Sequence, residues 1–277
     1  MSMSFGPLID AAWLAEHVND PHLRVIDVRW YLDGRSGRAA YEGGHIPGAV
    51  FVDLAGVSGH EPGRGRHPLP DRAGFEQAMR QAGVGRDTAV VAYDDAGGTV
   101  AARLWWMLRY FGHERAGVLN GGINAWPGQL EADTTRPAPG DFTAAAPRTD
   151  LKLDYDDVRA LPAGTLLLDA RVRERYRGDA EPVDARPGHI PGARSAPAVD
   201  NLTADKRMRS PEELRRRYEG LGVADPANVV VYCGSGVSAC HDLLALEVAG
   251  LPGARLYPGS WSEWASHPDA PAATGDE

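Results

Sequence analysis

Cys233 closes the run Val229-Val230-Val231-Tyr232-Cys233 and opens the loop Gly234-Ser235-Gly236-Val237-Ser238. A β-branched run that stops at a thiol reads as a strand ending there. Gly234 and Gly236 allow successive backbone N–H groups to converge on one point. The apolar stretch beyond (Leu243, Leu244, Leu246, Val248) begins a helix whose positive end faces the same point. A thiol placed there is favoured as its thiolate, the nucleophilic form. The pattern suits covalent catalysis, with Cys233 as nucleophile and the amides of Gly234 to Ser238 around a transferred anion. Cys240, seven residues on, reads as a small buried apolar residue.

The chain that must position this thiol has 277 residues and a net charge of −9. That length predicts about two domains. The acidic balance argues against nucleic acid and against an anionic membrane surface as partners. The N-terminus has neither a basic n-region nor an apolar h-region, and no stretch approaches the roughly 18 apolar residues of a membrane span. A soluble, cytoplasmic protein is expected. Two cysteines form no disulfide framework and no four-ligand zinc site, so a reducing compartment and no metal are expected.

The sequence also repeats itself. Gly44-His45-Ile46-Pro47-Gly48-Ala49 recurs as Gly188-His189-Ile190-Pro191-Gly192-Ala193. Val25-Ile26-Asp27-Val28-Arg29 precedes the first copy and Leu167-Leu168-Asp169-Ala170-Arg171 the second. Ala92-Tyr93-Asp94 matches Val231-Tyr232-Cys233, and Gly121 to Trp126 matches Gly259 to Trp264. Four matched segments in the same order predict two homologous domains, 1–128 and 153–277, joined by a Pro- and Ala-rich linker over 129–152. Strands are predicted near 24–28, 88–93 and 116–119, then 165–169, 228–232 and 254–257. Helices are predicted near 71–82, 99–111, 211–219 and 238–249. Such alternation predicts an α/β fold, each domain a parallel sheet flanked by helices, with ligands at the carboxyl ends of the strands. The first domain carries Asp94 in place of Cys233, in a doubly acidic loop one residue longer. It is expected to shape the site rather than perform the chemistry.

The tandem arrangement, the two His-Ile-Pro-Gly-Ala segments and Cys-Gly-Ser-Gly-Val-Ser-Ala-Cys-His resemble the two-domain rhodanese family of sulfurtransferases, from about Leu8 to Trp264. The resemblance implies tandem rhodanese-like domains, the first inactive, and a Cys233 persulfide that carries sulfane sulfur. It implies no metal or organic cofactor. Expected partners are a small-molecule sulfur donor and an acceptor: thioredoxin, a small thiol or cyanide. Thiosulfate-preferring members resemble Cys-Arg-Lys-Gly-Val-Thr and mercaptopyruvate-preferring ones Cys-Gly-Ser-Gly-Val-Thr. The second form is present, with Ser238 for Thr. The uncharged Gly234 and Ser235 agree, because thiosulfate is a dianion and a pair of loop cations would stabilise it and the departing sulfite.

By the same resemblance, Arg175 in Glu174-Arg175-Tyr176-Arg177-Gly178 anchors the donor's carboxylate, a task that suits a bidentate guanidinium. Arg171 and Arg177 are weaker candidates. A second Arg, common in relatives just before the second Gly-His-Ile-Pro-Gly, is absent: Val183 falls at its place, Arg186 is the nearest substitute, and thiosulfate stays open as a donor beside or in place of mercaptopyruvate. Ser235 is implied to act with a His and an Asp of the first domain, for which His45 and Asp33 are the matching positions. His189 occupies the same slot as His45, which leaves a packing role open for both. The basic loop Gly63-Arg64-Gly65-Arg66-His67 is not placed by the sequence. Trp105, Trp106, Trp261, Trp264 and His241 are predicted packing residues. A phosphatase with a Cys-x5-Arg loop is disfavoured because position 239 is Ala. A non-catalytic module that binds partners or senses sulfide is disfavoured by the intact Cys and glycines.

Overall fold

The computed structural model describes residues 5–134 and 136–276. They form two compact units. One comprises Met1–Ser58, Pro70–Arg148 and Ala204–Met208. The other comprises Gly59–Leu69, Thr149–Thr203 and Arg209–Glu277. The short segment 59–69 therefore belongs with the second half of the chain.

The first unit runs β1 (Leu8–Ile9), α1 (Ala11–His17), β2 (Leu23–Asp27), α2 (Gly37–Gly43), β3 (Val50–Phe51), α3 (Arg72–Gln81), β4 (Ala89–Tyr93), α4 (Ala101–Tyr110) and β5 (Ala116–Leu119). Its five strands lie in the order β1-β5-β4-β2-β3, all parallel. β4 is buried at every residue, as a near-continuous apolar run covered on both faces must be. Asp10 and Asp71 cap α1 and α3 through their carboxylates. The segment expected as a linker is held to this unit as far as Arg148. Phe142 is buried edge-on against Phe75, which stacks on Phe111, and backbone bonds run from Gly140 to Arg80 and from Ala145 to Phe111.

The second unit runs α5 (Tyr155–Arg159), β6 (Leu166–Asp169), α6 (Arg173–Arg177), β7 (Arg194–Ser195), α7 (Pro211–Gly220), β8 (Val229–Tyr232), α8 (Ala239–Val248), β9 (Arg255–Leu256) and α9 (Ser260–Trp264). Its four parallel strands lie in the order β7-β6-β8-β9, and a single bridge from Lys152 to Leu256 stands where β1 stands in the first unit. Ser210 and Glu213 form a capping box that starts α7, with Pro211 in its first turn. The core gathers Leu167, Val230, Tyr232, Tyr257, Trp261 and Trp264, each worth about 1.5–3 kcal/mol of burial. The four predicted packing tryptophans are all buried, as is His241. Among the described residues no helix is long and apolar enough to cross a membrane.

Candidate active site

β8 delivers Cys233 to its carboxyl end, and the loop 234–238 leads into α8. Cys233 is 2% exposed, and its Sγ accepts a hydrogen bond from the Gly236 N–H at 3.1 Å. Gly236 holds φ +74°, and a Cβ there would lie 2.5 Å from the Pro258 carbonyl, so only glycine fits. The first turn of α9 clamps the backbone of the thiol. Cys233 N–H donates to Ser260 Oγ at 3.1 Å, and the Cys233 and Gly234 carbonyls accept from Trp261 and Ser262 at 2.9 Å each. Ser260 holds φ +56°, a strained state for a residue with a Cβ, and its hydroxyl donates onward to the Tyr257 carbonyl. Val237 and Ser238 carry the chain into α8, their carbonyls accepting from Cys240 and His241.

Ser235 is buried, and its Oγ lies 2.8 Å from His67 Nδ1. This histidine comes from the segment 59–69, which is seated on α9. Arg66 N–H donates to Ser262 Oγ at 3.0 Å, Arg64 pairs with Glu263 at 3.7 Å, and a Cβ on Gly65 would meet the Gly259 carbonyl at 2.5 Å. The histidine on Ser235 is thus His67 rather than the expected His45. His45 is fully buried in the first unit, stacked on Tyr41, with Nδ1 on the Tyr41 carbonyl at 2.9 Å. His189 does the same with Tyr176 at 2.8 Å. The packing role left open for this slot is what both copies show. Asp33 is exposed and pairs with Arg35 at 2.9 Å.

Arg175, on α6, reaches the loop. A Cβ at Gly234 would lie 3.3 Å from Arg175 Nη1 and 2.8 Å from Arg66 Nη2. The opposite edges of both guanidiniums rest on carboxylates. Arg175 Nε and Nη2 donate to Glu181 at 3.1 and 2.7 Å, and Nη2 also reaches Asp184 at 2.8 Å. Arg66 Nη1 is paired with the other oxygen of Asp184. Burial raises the Asp184 carboxyl above its usual range, with the Glu181 charge adding to it and Arg66 and Arg175 opposing. Burial pushes Glu181 the same way, but the Arg175 hydrogen bond and the Asp184 and Val183 N–H groups outweigh it and hold Glu181 low. Arg186 does not substitute for the missing second Arg: it donates to the carbonyls of Trp264, Ala265, His267 and Ala270. Arg171 is committed to Asp169, Glu181 and the Gly188 carbonyl, and Arg177 pairs at the surface with Asp179 and Asp276.

A buried thiol in an amide loop at a parallel strand's end, repeated in form but not in chemistry by the first unit, defines a class. The rhodanese-like domain model matches residues 10–129 and 150–267. The chain therefore belongs to the rhodanese family, as two rhodanese-like domains, and is a sulfurtransferase. It is 44% identical over 286 residues to the "Probable 3-mercaptopyruvate sulfurtransferase" of Pseudomonas aeruginosa, covering 99% of this chain and 100% of the relative. It is 37% identical to the thiosulfate sulfurtransferase of Bos taurus, covering 94% and 92%. Among solved structures, SseA of Escherichia coli, a 3-mercaptopyruvate sulfotransferase of rhodanese fold, superposes with TM-score 0.81 at 36% identity, covering 93% and 99%.

Proposed function

We propose that this enzyme takes sulfane sulfur from 3-mercaptopyruvate, holds it as a Cys233 persulfide, and passes it to a thiol, of thioredoxin type or small, or to cyanide. Cys233 Sγ attacks the donor's thiol sulfur. The C–S pair of electrons departs into the pyruvate enolate, and the proton of the transferred sulfur ends on the enolate carbon. Pyruvate and a Cys-S-S⁻ anion remain, and the acceptor attacks the outer sulfur in the second half-reaction. The amides of Gly234, Gly236, Val237 and Ser238 hold that sulfur, Arg175 holds the donor's carboxylate, and Ser235 with His67 handles the proton. The first domain (1–128), with Asp94 at the thiol's position, takes no sulfur, and the second (153–277) carries the chemistry. A reducing cytoplasm suits two free thiols and a persulfide carrier.

The observation that carries this reading is the Gly236 N–H on Cys233 Sγ, in a loop whose Ser235 is paired with an imidazole. Intact-mass measurement after incubation with 3-mercaptopyruvate should show one added sulfur atom on Cys233, lost on adding excess thiol. Cys233→Ser should show no adduct and no turnover while retaining its thermal transition. Turnover by the Ser variant would overturn the reading.

A further inference from the structure

Two guanidiniums flank the empty side-chain position of Gly234, and they come from distant parts of the chain. Arg66 Nη2 and Arg175 Nη1 are the nitrogens nearest it, while Arg66 Nη1 and Arg175 Nε and Nη2 are held by Asp184 and Glu181. The carboxylates thus fix the rear edges, and the forward N–H groups of both cations are directed at the Cys233 loop without a hydrogen-bond partner among the described residues. The loop itself supplies no cation. Arg66 cannot drift freely, because its own N–H is bonded to Ser262 and Gly65 is in tight contact with Gly259.

We infer that Arg66 is a donor-specificity residue, whose guanidinium with that of Arg175 forms a paired-cation seat admitting small dianionic sulfane-sulfur donors of the thiosulfate class. This rests on the persulfide reading above. With thiosulfate, Cys233 Sγ bonds to the outer sulfur, the S–S bond of the donor breaks, and its electron pair leaves on sulfite. The thiolate and dianion become a persulfide anion and sulfite dianion, with no proton moved. Three negative charges meet in that step, against two with mercaptopyruvate, so a second fixed cation matters more for thiosulfate. Mercaptopyruvate instead needs a proton delivered to its enolate, which draws on Ser235 and His67. Adjacent residues 66 and 67 therefore serve different donors.

The test is kcat/KM for both donors in wild type, Arg66→Met and Arg66→Lys, alongside the intact mass with 3-mercaptopyruvate. Arg66→Met should lose about a thousandfold with thiosulfate and about tenfold with mercaptopyruvate. Arg66→Lys, which keeps a charge but loses the fork, should recover most of the thiosulfate loss. Equal losses on the two donors, a larger loss on mercaptopyruvate, or no thiosulfate turnover by wild type would overturn the assignment. A wild type that gains no sulfur from 3-mercaptopyruvate would instead strike the persulfide reading, so the two failures are told apart. If Arg66→Met does not fold, the donor ratio of Arg66→Gln, which keeps a polar side chain but no charge, decides: a ratio equal to wild type overturns the proposal.

Discussion

The two units share a frame of matched hydrogen bonds and differ where the frame ends. In the first, Arg29 chelates Asp27 and donates to the Gly44 carbonyl at 2.7 Å, and the Tyr93 hydroxyl accepts from Ile46 N–H at 3.2 Å. In the second, Arg171 chelates Asp169 and donates to the Gly188 carbonyl at 2.7 Å, and Tyr232 accepts from Ile190 N–H at 3.1 Å. At the strand end the chemistry parts. Asp94 folds its carboxylate into its own loop, one oxygen accepting from Ala96 and Gly98, the other from Val100 and Ala101, all within 2.9 Å. Cys233 accepts one such bond, from Gly236. Tyr41 and Tyr176 hold equivalent places beside the paired histidines, so Ala40 stands where Arg175 does. The first loop is an anion nest permanently filled by its own side chain. In the second, no carboxylate fills the loop, and the guanidiniums of Arg66 and Arg175 lie beside it.

That difference can be broken from the first side. Asp94→Ala removes a fully buried carboxylate and leaves four loop N–H groups without their acceptor. We expect a loss of about 4 kcal/mol in chemical denaturation. The adduct on Cys233 should still form below the unfolding transition. An undiminished stability would mean that the carboxylate is not what organises the first loop.

The histidines sharpen the contrast between frame and site. His45 and His189 are the same buried ring in two copies, whereas the place of His67 is taken in the other half by Lys206, which donates to the Asp95 carbonyl, and only His67 brings an imidazole to its loop, at Ser235. His67→Gln should lower kcat/KM for mercaptopyruvate about a hundredfold, and for thiosulfate far less, because only the first donor's step moves a proton. His45→Gln should lower the midpoint of thermal unfolding and keep the ratio of the two donors. A donor ratio that moves with His45 and not with His67 would reverse these roles.

Most of the fold could be read from local pattern. The strands ending at Tyr93 and Tyr232 and the four longer helices fall within two residues of their predicted limits, because uniform apolar runs and caps are local signals. β1, β3 and β7 have two residues each, too few to carry a period, and no strand is predicted for them; β9 is as short, and the run 254–257 marks it. Cys233, Ser235, Gly236 and Arg175 were legible because motif and loop chemistry are contiguous. Arg66 and His67 were not: a glycine-punctuated basic stretch has no periodicity, and its docking on α9 depends on close backbone approach at Gly65 and Gly259. Ser260 hid for a similar reason. It takes the left-handed conformation that its counterpart Gly122 adopts at φ +60°, trading strain for a bond to the Cys233 N–H.

The helices behind the two loops differ as well, and this gives the smallest expected effect. α4 and α8 begin at equivalent alanines, so Asp242 on α8 stands where α4 has Leu104. Asp242 is fully buried: one oxygen accepts from Asn201 Nδ2 at 2.6 Å, and the other has no partner among the described residues. Asn201 in turn accepts from the Tyr218 hydroxyl at 3.0 Å. Burial raises the Asp242 carboxyl to about 7. The folded state therefore holds this proton more tightly than the unfolded chain does. The stabilisation is complete below about pH 4 and is lost as pH rises through about 7. Asp242→Asn keeps an acceptor for Asn201 and cannot ionise. Between pH 5.5 and 7 the wild type should lose about 2 kcal/mol relative to this variant, read from denaturation midpoints at each pH. Parallel pH profiles would show that the Asp242 proton is not linked to folding, and the second helix would then be as indifferent to pH at this position as the leucine makes the first.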